Sequence, residues 1–596
     1  MILRVILLCL ILLPINMEAQ LSEGGQPASF LLENIDKTVP IIMLPSFNND
    51  LLAEKDTCQQ CGKFYGIDVG ESFNFWLEAS LVVHEHTEIY RVMMNSPTAK
   101  GLHAVFDKFQ LQENEKIFMY NTEDSSRVLG AYTYNNNKED LSFVSNIIHG
   151  SNIVIEVNKN VSHLSYTKGK VIIKDAIYVF EDRSSFGNSF ECYNNVICDP
   201  WYNDFCNEIR SVVKFLRHRT DPDDDENTGW FGCSGAVVNT SSLTFEPVIL
   251  TAEHCVNLGD QFEDWLVWFN YQSNSCNPTI NGNDLMTVAG VDILASEGTD
   301  CVCCPDIAVM RLREPIPIQY NVYHSGWSNL QLTYPQDGLC IHHPAGDVKK
   351  ISFGEIKNPL LSGCHRVNWS SGLTEGGSSG SPLYTMSRYI TGVNSHGPIN
   401  RSCEDPKYSK FSRIQKSWDD LQPHLSPGEP DVASLTGSDP ISACQQTIEL
   451  NGAVFPGNDW QRQNQLTIQA QSVVNVANIR RTIIRDSPFN APAIDSDYII
   501  RAGDRITISP GFSINAPLKN PITGVYTNLF LDGNQNRVSF QIGPCVPFED
   551  ECGFNHSAKT TLYDNTTPVE INIYPNPSTG MVTIDMSNAG FNKNYN

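Results

Sequence analysis

Over most of its length this sequence alternates apolar and polar residues with a period of two, in short runs broken by Gly, Pro, Asn and Asp. That period puts every second side chain on one face of an extended strand, so one face can enter a core while the other stays wet. A helical period would scatter the same residues around a cylinder. The runs FWLEASLVV, KIFMYN, RVLGAYTY, NIVIEV and KVIIKDAIYVF lie between residues 21 and 185, and TIELNG, QLTIQAQSVVNVANI, DYIIRAGDRITISPGFSI and NRVSFQIG lie between 441 and 548. Together they predict an all-β chain, with sandwich-like spacing in the first group.

With 596 residues the chain exceeds what one core holds, and a prior of about 150 residues per domain gives three or four units. Residues 1–20, MILRVILLCLILLPINMEAQ, join one arginine to a short apolar stretch and a small or polar end, the form of a secretory signal peptide. That stretch is too short to span a bilayer and no later one is apolar for long enough, so no transmembrane segment is expected. The 67 acidic against 41 basic residues, a net charge of −26, argue against nucleic acid or an anionic membrane as partner. Export makes disulfides the default use of the 18 cysteines. Cys9 leaves with the signal, and the odd number that remains implies at least one unpaired thiol.

Composition shifts along the chain. Residues 21–185 hold only Cys58 and Cys61, as CQQC, which reads as a local disulfide or a packed hairpin because no second pair follows at zinc spacing. Residues 186–424 are rich in cysteine and glycine. Within them TDPDDDENTG lacks the spacing of a calcium loop and reads as a solvated acidic turn. Residues 425–440, with LSPGEPDVASLTGSDP, read as a linker, and 549–568 as a second one.

The central block carries the chemistry. Hydrolysis by a serine needs a base beside the hydroxyl, a carboxylate to hold that base in one tautomer, and donors for the oxyanion. In TAEHC, His254 follows the apolar strand PVIL. In CCPDIAVMRL, Asp306 opens an alternating strand, where a buried carboxylate needs a partner such as an imidazole N–H. In TEGGSSGSPLY the glycines permit a tight turn that exposes Ser379, and the amides from Gly377 through Ser378 to Ser379 can converge on an oxyanion. Each piece alone is commonplace. The order His, Asp, Ser, with gaps of about 50 and about 70 residues and each beside a strand, follows the trypsin arrangement rather than that of subtilisin or the α/β hydrolases.

On SFECYNNVIC, CSGAVVNTSSL, LTAEHC, WFNYQSNSC, SGWSNLQLTYPQDGLCIHHPAGDVKKIS, VNWSSGLTEGGSSGSPLY and HGPINRSC, the block resembles the lysyl endopeptidases, a branch of the trypsin-like serine proteases. The resemblance implies a double six-stranded β-barrel, His254 as general base, Asp306 as its orienting carboxylate and Ser379 as nucleophile. It also implies disulfides Cys192–Cys403, Cys198–Cys276 and Cys233–Cys255, the last pinning the turn that holds His254. Of the remaining cysteines, Cys340–Cys364 reads as an extra bridge, and Cys206 as a partner for the CVCC cluster of Cys301, Cys303 and Cys304.

At the specificity pocket the resemblance is thinner. Most trypsins place an acid six residues before the nucleophile, where this chain has Leu373. The lysyl endopeptidases resemble one another in drawing the charge from a segment after HGP, here CEDPKYSKF, which brings in Asp405 beside Thr374, His396 and Gly397. Glu404 and Asp405 read equally well as a solvent-facing turn. His342 and His343 in CIHHP lack a third zinc ligand and read as packing and hydrogen-bonding residues.

Residues 21–185 resemble the propeptide that precedes lysyl endopeptidases, with an activation cut expected between Arg183 and Cys192. The stretch INIYPNPSTGMVTID within 569–596 resembles the C-terminal sorting domain of the type IX secretion system of Bacteroidetes; such domains run longer, so a partial copy is expected. The expectation is a monomeric endopeptidase made as a precursor, secreted or held at the cell surface after passing the periplasm. It would cut proteins or peptides after Lys or Arg, with no cofactor and no metal, and would meet the type IX machinery on its way out. The alternative is an inactive surface adhesin that keeps the protease shape.

Overall fold

A computed structural model of the chain describes residues 22–440 except 33–34, 36–37, 55–61, 125–127, 162–166, 182–188, 223–227, 299–304, 358–362, 399–401, 405–406 and single loop positions, and beyond them the backbone of short strands between 447 and 585. The predicted signal peptide, CQQC, CVCC, Arg183, Asp405 and the 549–568 linker lie outside the described residues.

Residues 22–180 form a β-sandwich. One sheet runs Ile41–Met43, Thr87–Asn95, Asn152–Asn160, Glu115–Asn121, Val128–Tyr132, and the facing strands are Ile148–His149, Gly101–Gln110, Lys170–Val179 and Lys63–Asp68. Inward-facing residues such as Val92, Phe106, Phe109, Met119, Ile155 and Ile173 meet in one core, as the period-two pattern requires. One run differs from expectation. FWLEASLVV starts as a helical turn, Phe75–Glu78, because the Asn74 side chain accepts the Trp76 N–H and caps it; the strand begins only at Ser80.

The central block folds into two six-stranded barrels. In the first, Leu266–Phe269, Val212–Arg219, Gly229–Val237, Val248–Thr251 and Ile307–Leu312 pair in that order. The closing strand is bent: Thr287–Ala289 pairs with Leu266–Phe269, Val291–Glu297 pairs with Ile307–Leu312, and Gly290 between them sits at φ +89. In the second, Gln336–His342, Lys350–Lys357, Cys364–Ser371, Tyr408–Arg413, Ile390–His396 and Pro382–Thr385 pair in a closed ring. Between the barrels, Val238, Leu250 and Val309 of the first share a core with Leu339, Tyr384 and Val393 of the second. The cleft between barrels is therefore held from beneath by apolar packing.

The stretch 425–440, a linker by composition, is packed instead. Ser434–Leu435 pairs with Trp327–Ser328, Ser438 bridges to His324, and Asp439 forms an ion pair with buried Arg210 at 2.7 Å. Proline and glycine mark turns, and here the turns are tied down by backbone bonds that composition does not reveal. Farther on, Thr447–Asn451, Val473–Ala477 and Arg505–Ile508 pair in parallel, as do Gln465–Ala470, Asp497–Ala502 and Val538–Ile542. The module is all-β as expected, and these ladders are parallel; a period of two fixes which side chains share a face but not strand direction.

Trp327 is fully buried in the inter-barrel core and its indole N–H donates to the Asn239 carbonyl at 2.8 Å. Trp327→Ala is expected to lower unfolding free energy by about 3–5 kcal/mol in denaturant titration. A change below about 1 kcal/mol would contradict this packing.

Candidate active site

Three loops converge at one end of the cleft. Strand Val248–Thr251 pairs antiparallel with Ile307–Leu312, with Thr251 opposite Ala308. Residues just past Thr251 and just before Ile307 therefore emerge at the same end of the pair. His254 lies there, in the short 3-10 turn Glu253–Cys255, and so does Asp306. The Asp306 carboxylate accepts the His254 backbone N–H at 2.9 Å and faces ring Nδ1 at 2.8 Å. Two contacts from one carboxylate fix both the turn and the ring. The other ring nitrogen, Nε2, is buried and, among the described residues, has no hydrogen-bond partner, Ser379 Oγ included.

Ser379 comes from the second barrel, in the loop before Pro382–Thr385. Its carbonyl accepts the Ser234 N–H at 2.8 Å, so the loop is bonded to strand Gly229–Val237 of the first barrel. Gly380 (φ +80) passes so close to the strand that ends at Thr251 that a Cβ there would lie 2.0 Å from the Thr251 hydroxyl and 2.9 Å from the Ala252 nitrogen. The serine loop and the histidine turn are thus in contact two residues from His254. The Cys233–Cys255 disulfide ties the same strand to the residue after His254.

The turn before Ser379 is built from Gly377 at φ +87, with the Ser378 N–H donating to the Glu375 carbonyl at 2.9 Å. That bond takes the Ser378 amide out of the predicted oxyanion set. The amides of Gly377 and Ser379 donate no hydrogen bond among the described residues. Ser234 Oγ donates to the Gly377 carbonyl at 2.8 Å, and the Ser378 hydroxyl lies 2.7 Å from His342 Nδ1. His342 is fully buried between that hydroxyl and Ser352; burial, with Lys350 nearby, lowers its pKa to about 3 and keeps it neutral. This is a packing role of the kind expected from CIHHP.

Sequence reading missed three serines. Ser395 donates to Asp306 Oδ2, Ser412 accepts the Asp306 N–H at 2.7 Å, and Ser234 joins the two barrels as described. Ser395 directly precedes the HGP stretch, whereas Ser234 and Ser412 have no local signal beyond a strand context. Burial alone would raise the Asp306 pKa, but the His254 charge and the bonds from His254 and Ser395 outweigh it and bring it down to about 2.

In the expected specificity pocket, Thr374 is buried and its hydroxyl lies 2.6 Å from that of Ser409, which also accepts the Trp369 indole N–H at 2.8 Å. These bonded side chains are uncharged. His396 ends strand Ile390–His396 with Nδ1 3.1 Å from Ser395 Oγ, and Gly397 follows it. Asp405 lies outside the described residues, so its place relative to Thr374 stays an expectation.

The cysteines give one correction. Cys192–Cys403, Cys198–Cys276 and Cys233–Cys255 are bridged. Cys340 is not joined to Cys364: it is a free thiol, fully buried, and its pKa is pushed up to about 12 by burial. It lies on a barrel strand with its sulfur 3.1 Å from Ser381 Oγ, whereas Cys206 and Cys364 are disulfide-bonded. Donor atoms of Cys233, His254 and Cys255 lie within 4.8 Å of one another, but the two sulfurs are bonded together and offer no thiolate to a metal.

Residues 186–411 match the family model described as lysyl endopeptidase, C-terminal domain. A curated relative, the lysyl endopeptidase of Pseudomonas aeruginosa, is 27% identical over 225 residues, which are 36% of this chain and 46% of that one. The chain thus spans about half the length of that relative. Among solved structures, the active form of the Rv3671c protease from M. tuberculosis is similar at 14% identity over 37% of this chain and 86% of that one, with a TM-score of 0.26. The thermostable serine protease AL20 from an extremophilic microorganism is similar at 15% identity over 36% and 95%, with a TM-score of 0.28. Residues 186–411 are thus similar to the lysyl endopeptidases, and this similarity supports a serine protease.

Proposed function

We propose that the central block is an endopeptidase acting through an acyl-enzyme on Ser379. One observation carries the reading: Asp306 holds His254 by both backbone and ring, while Nε2 is buried and unspent. Ser379 Oγ attacks the scissile carbonyl and its proton passes to Nε2. The forming oxyanion is received by the amides of Gly377 and Ser379, and the imidazolium is stabilised by Asp306. His254 then returns the proton to the leaving amine, and water repeats the sequence to release the acyl group. Pre-set positioning of this kind is worth several kcal/mol of the barrier.

The preferred residue before the cut is Lys or Arg, with Asp405 supplying the charge and Thr374, His396 and Gly397 lining the pocket. The family match and the HGP stretch support this. Proteins or peptides are the substrates, and the chain works outside the cell as a monomer. The signal-like start, the disulfides and the INIYPNPSTGMVTID stretch support export through the type IX machinery.

Ser379→Ala should lower kcat by about four to six orders of magnitude with little change in KM, read on a mixed peptide library with cut sites mapped by mass spectrometry. Equal cutting by variant and wild type would end the assignment; cuts lost in the variant but scattered over apolar residues would end only the basic preference. No cuts by either protein is the result expected of an adhesin.

Asp306 adds a pH signature. Its carboxyl lies at about 2 in the folded chain against an ordinary 3.8, so it contributes stability above about pH 4 that is lost as the pH falls toward 2. The contribution is about 2 kcal/mol. In urea unfolding at pH 5 and pH 2.5, Asp306→Asn should show a pH dependence smaller by that amount, and an unchanged dependence would contradict the assigned ionic pair.

A further inference from the structure

The N-terminal sandwich and the first barrel share one continuous sheet, and the strand that joins them runs along the candidate active site. Strand Gly229–Val237 presents one edge to three partners in turn. Ala236 and Val237 pair with Val248–Thr251, the Ser234 N–H binds the Ser379 carbonyl, and Trp230 to Gly232 pair antiparallel with Lys63–Asp68 of the sandwich. Gly232 is two residues from Ser234, on the same edge and about 7 Å along it. The sandwich thus takes the next hydrogen-bonding position beside the one used by the serine loop.

Gly62 tightens this contact. At φ +89, a Cβ there would lie 2.6 Å from the Gly232 carbonyl oxygen and 3.1 Å from Cys233 Sγ, the sulfur bridged to the residue after His254. Only glycine fits between the sandwich and that bridge. The strand is also firmly held. Its far edge pairs with Ile177 to Val179, and Phe64 packs between Phe180 and Phe231 at 5.3 and 5.1 Å. The Asp68 carboxylate accepts the Trp230 indole N–H at 2.9 Å and lies 2.7 Å from His218 Nε2.

The direction of a substrate follows from the proposed chemistry. The acyl half belongs to the second barrel, with Ser379, Thr374 and His396. The leaving half must lie on the His254 side, because Nε2 protonates its amine, and the backbone edge on that side is the one that Trp230 to Gly232 give to Lys63–Asp68. We propose that Lys63–Asp68, led in by Gly62, is a built-in strap on the leaving-group side of the cleft. It takes the strand edge that a polypeptide needs beyond its scissile bond and leaves the serine open to small substrates. This rests on the serine-protease reading and adds a regulation to it. Since the strap is held by sheet bonds and buried rings, cutting the 182–188 connection alone would not release it.

The test uses the intact full chain, checked on gels for absence of cleavage, with two substrates that share one acyl residue. One is a single-residue chromogenic amide, and the other is a quenched peptide with five residues beyond the cut. The wild type should be labelled by a fluorophosphonate and should hydrolyse the amide, yet favour the long peptide at least tenfold less than Gly62→Ala does. Gly62→Ala should leave the amide rate within twofold. Asp68→Asn, which keeps side-chain shape, should move the long-peptide rate in the same direction if Gly62→Ala does not fold. An intact wild type that cuts the long peptide as fast as the variants overturns the strap. No labelling of any of them overturns the protease reading, and the strap with it.

Discussion

A backbone hydrogen bond and a disulfide, one residue apart on strand Gly229–Val237, hold the candidate site together. Ser234 binds the carbonyl of Ser379 from the second barrel, and Cys233 is bridged to Cys255 beside His254. The candidate nucleophile lies on one barrel and the candidate base on the other; the Ser234–Ser379 bond crosses between the barrels, and the disulfide holds the histidine turn to the same strand. The apolar core beneath the cleft supplies the bulk of the cohesion, but burial is non-directional and cannot set a side chain to a fraction of an ångström. The directional part comes from Ser234, Ser395 and Ser412, each a small hydroxyl residue spent on the backbone or the carboxylate of a neighbour.

Electrostatics follows from the same arrangement. Asp306 is buried, which alone would favour its neutral form, yet it collects the His254 amide, the His254 ring and the Ser395 hydroxyl and stays ionised. His342, buried between two hydroxyls with Lys350 near, goes the other way and stays neutral. Asp306 keeps its charge because the His254 charge and its hydrogen-bonding partners outweigh burial, whereas burial and the Lys350 charge keep His342 neutral.

Much of this was legible in the sequence because the relevant signals are local. His254 after PVIL, Asp306 before IAVMRL and Ser379 among glycines each mark a strand end, and the period-two runs mark the strands. What was not legible is long-range. The parallel ladders beyond residue 447 share their alternation with antiparallel strands. The packing of 425–440 depends on backbone bonds to Trp327 and His324. Cys340, read as the partner of Cys364, lies beside Ser381 as a free thiol. The pairing of Lys63–Asp68 with Gly229–Gly232 joins segments far apart in the chain, and no local pattern announces it.

The central claim is that His254 serves Ser379. Mass mapping of the fluorophosphonate adduct on wild type and on His254→Ala tests it most directly. The account predicts one adduct, on Ser379, whose formation slows by orders of magnitude without the imidazole. An adduct on another residue, or one that forms on Ser379 equally fast in the variant, would contradict it.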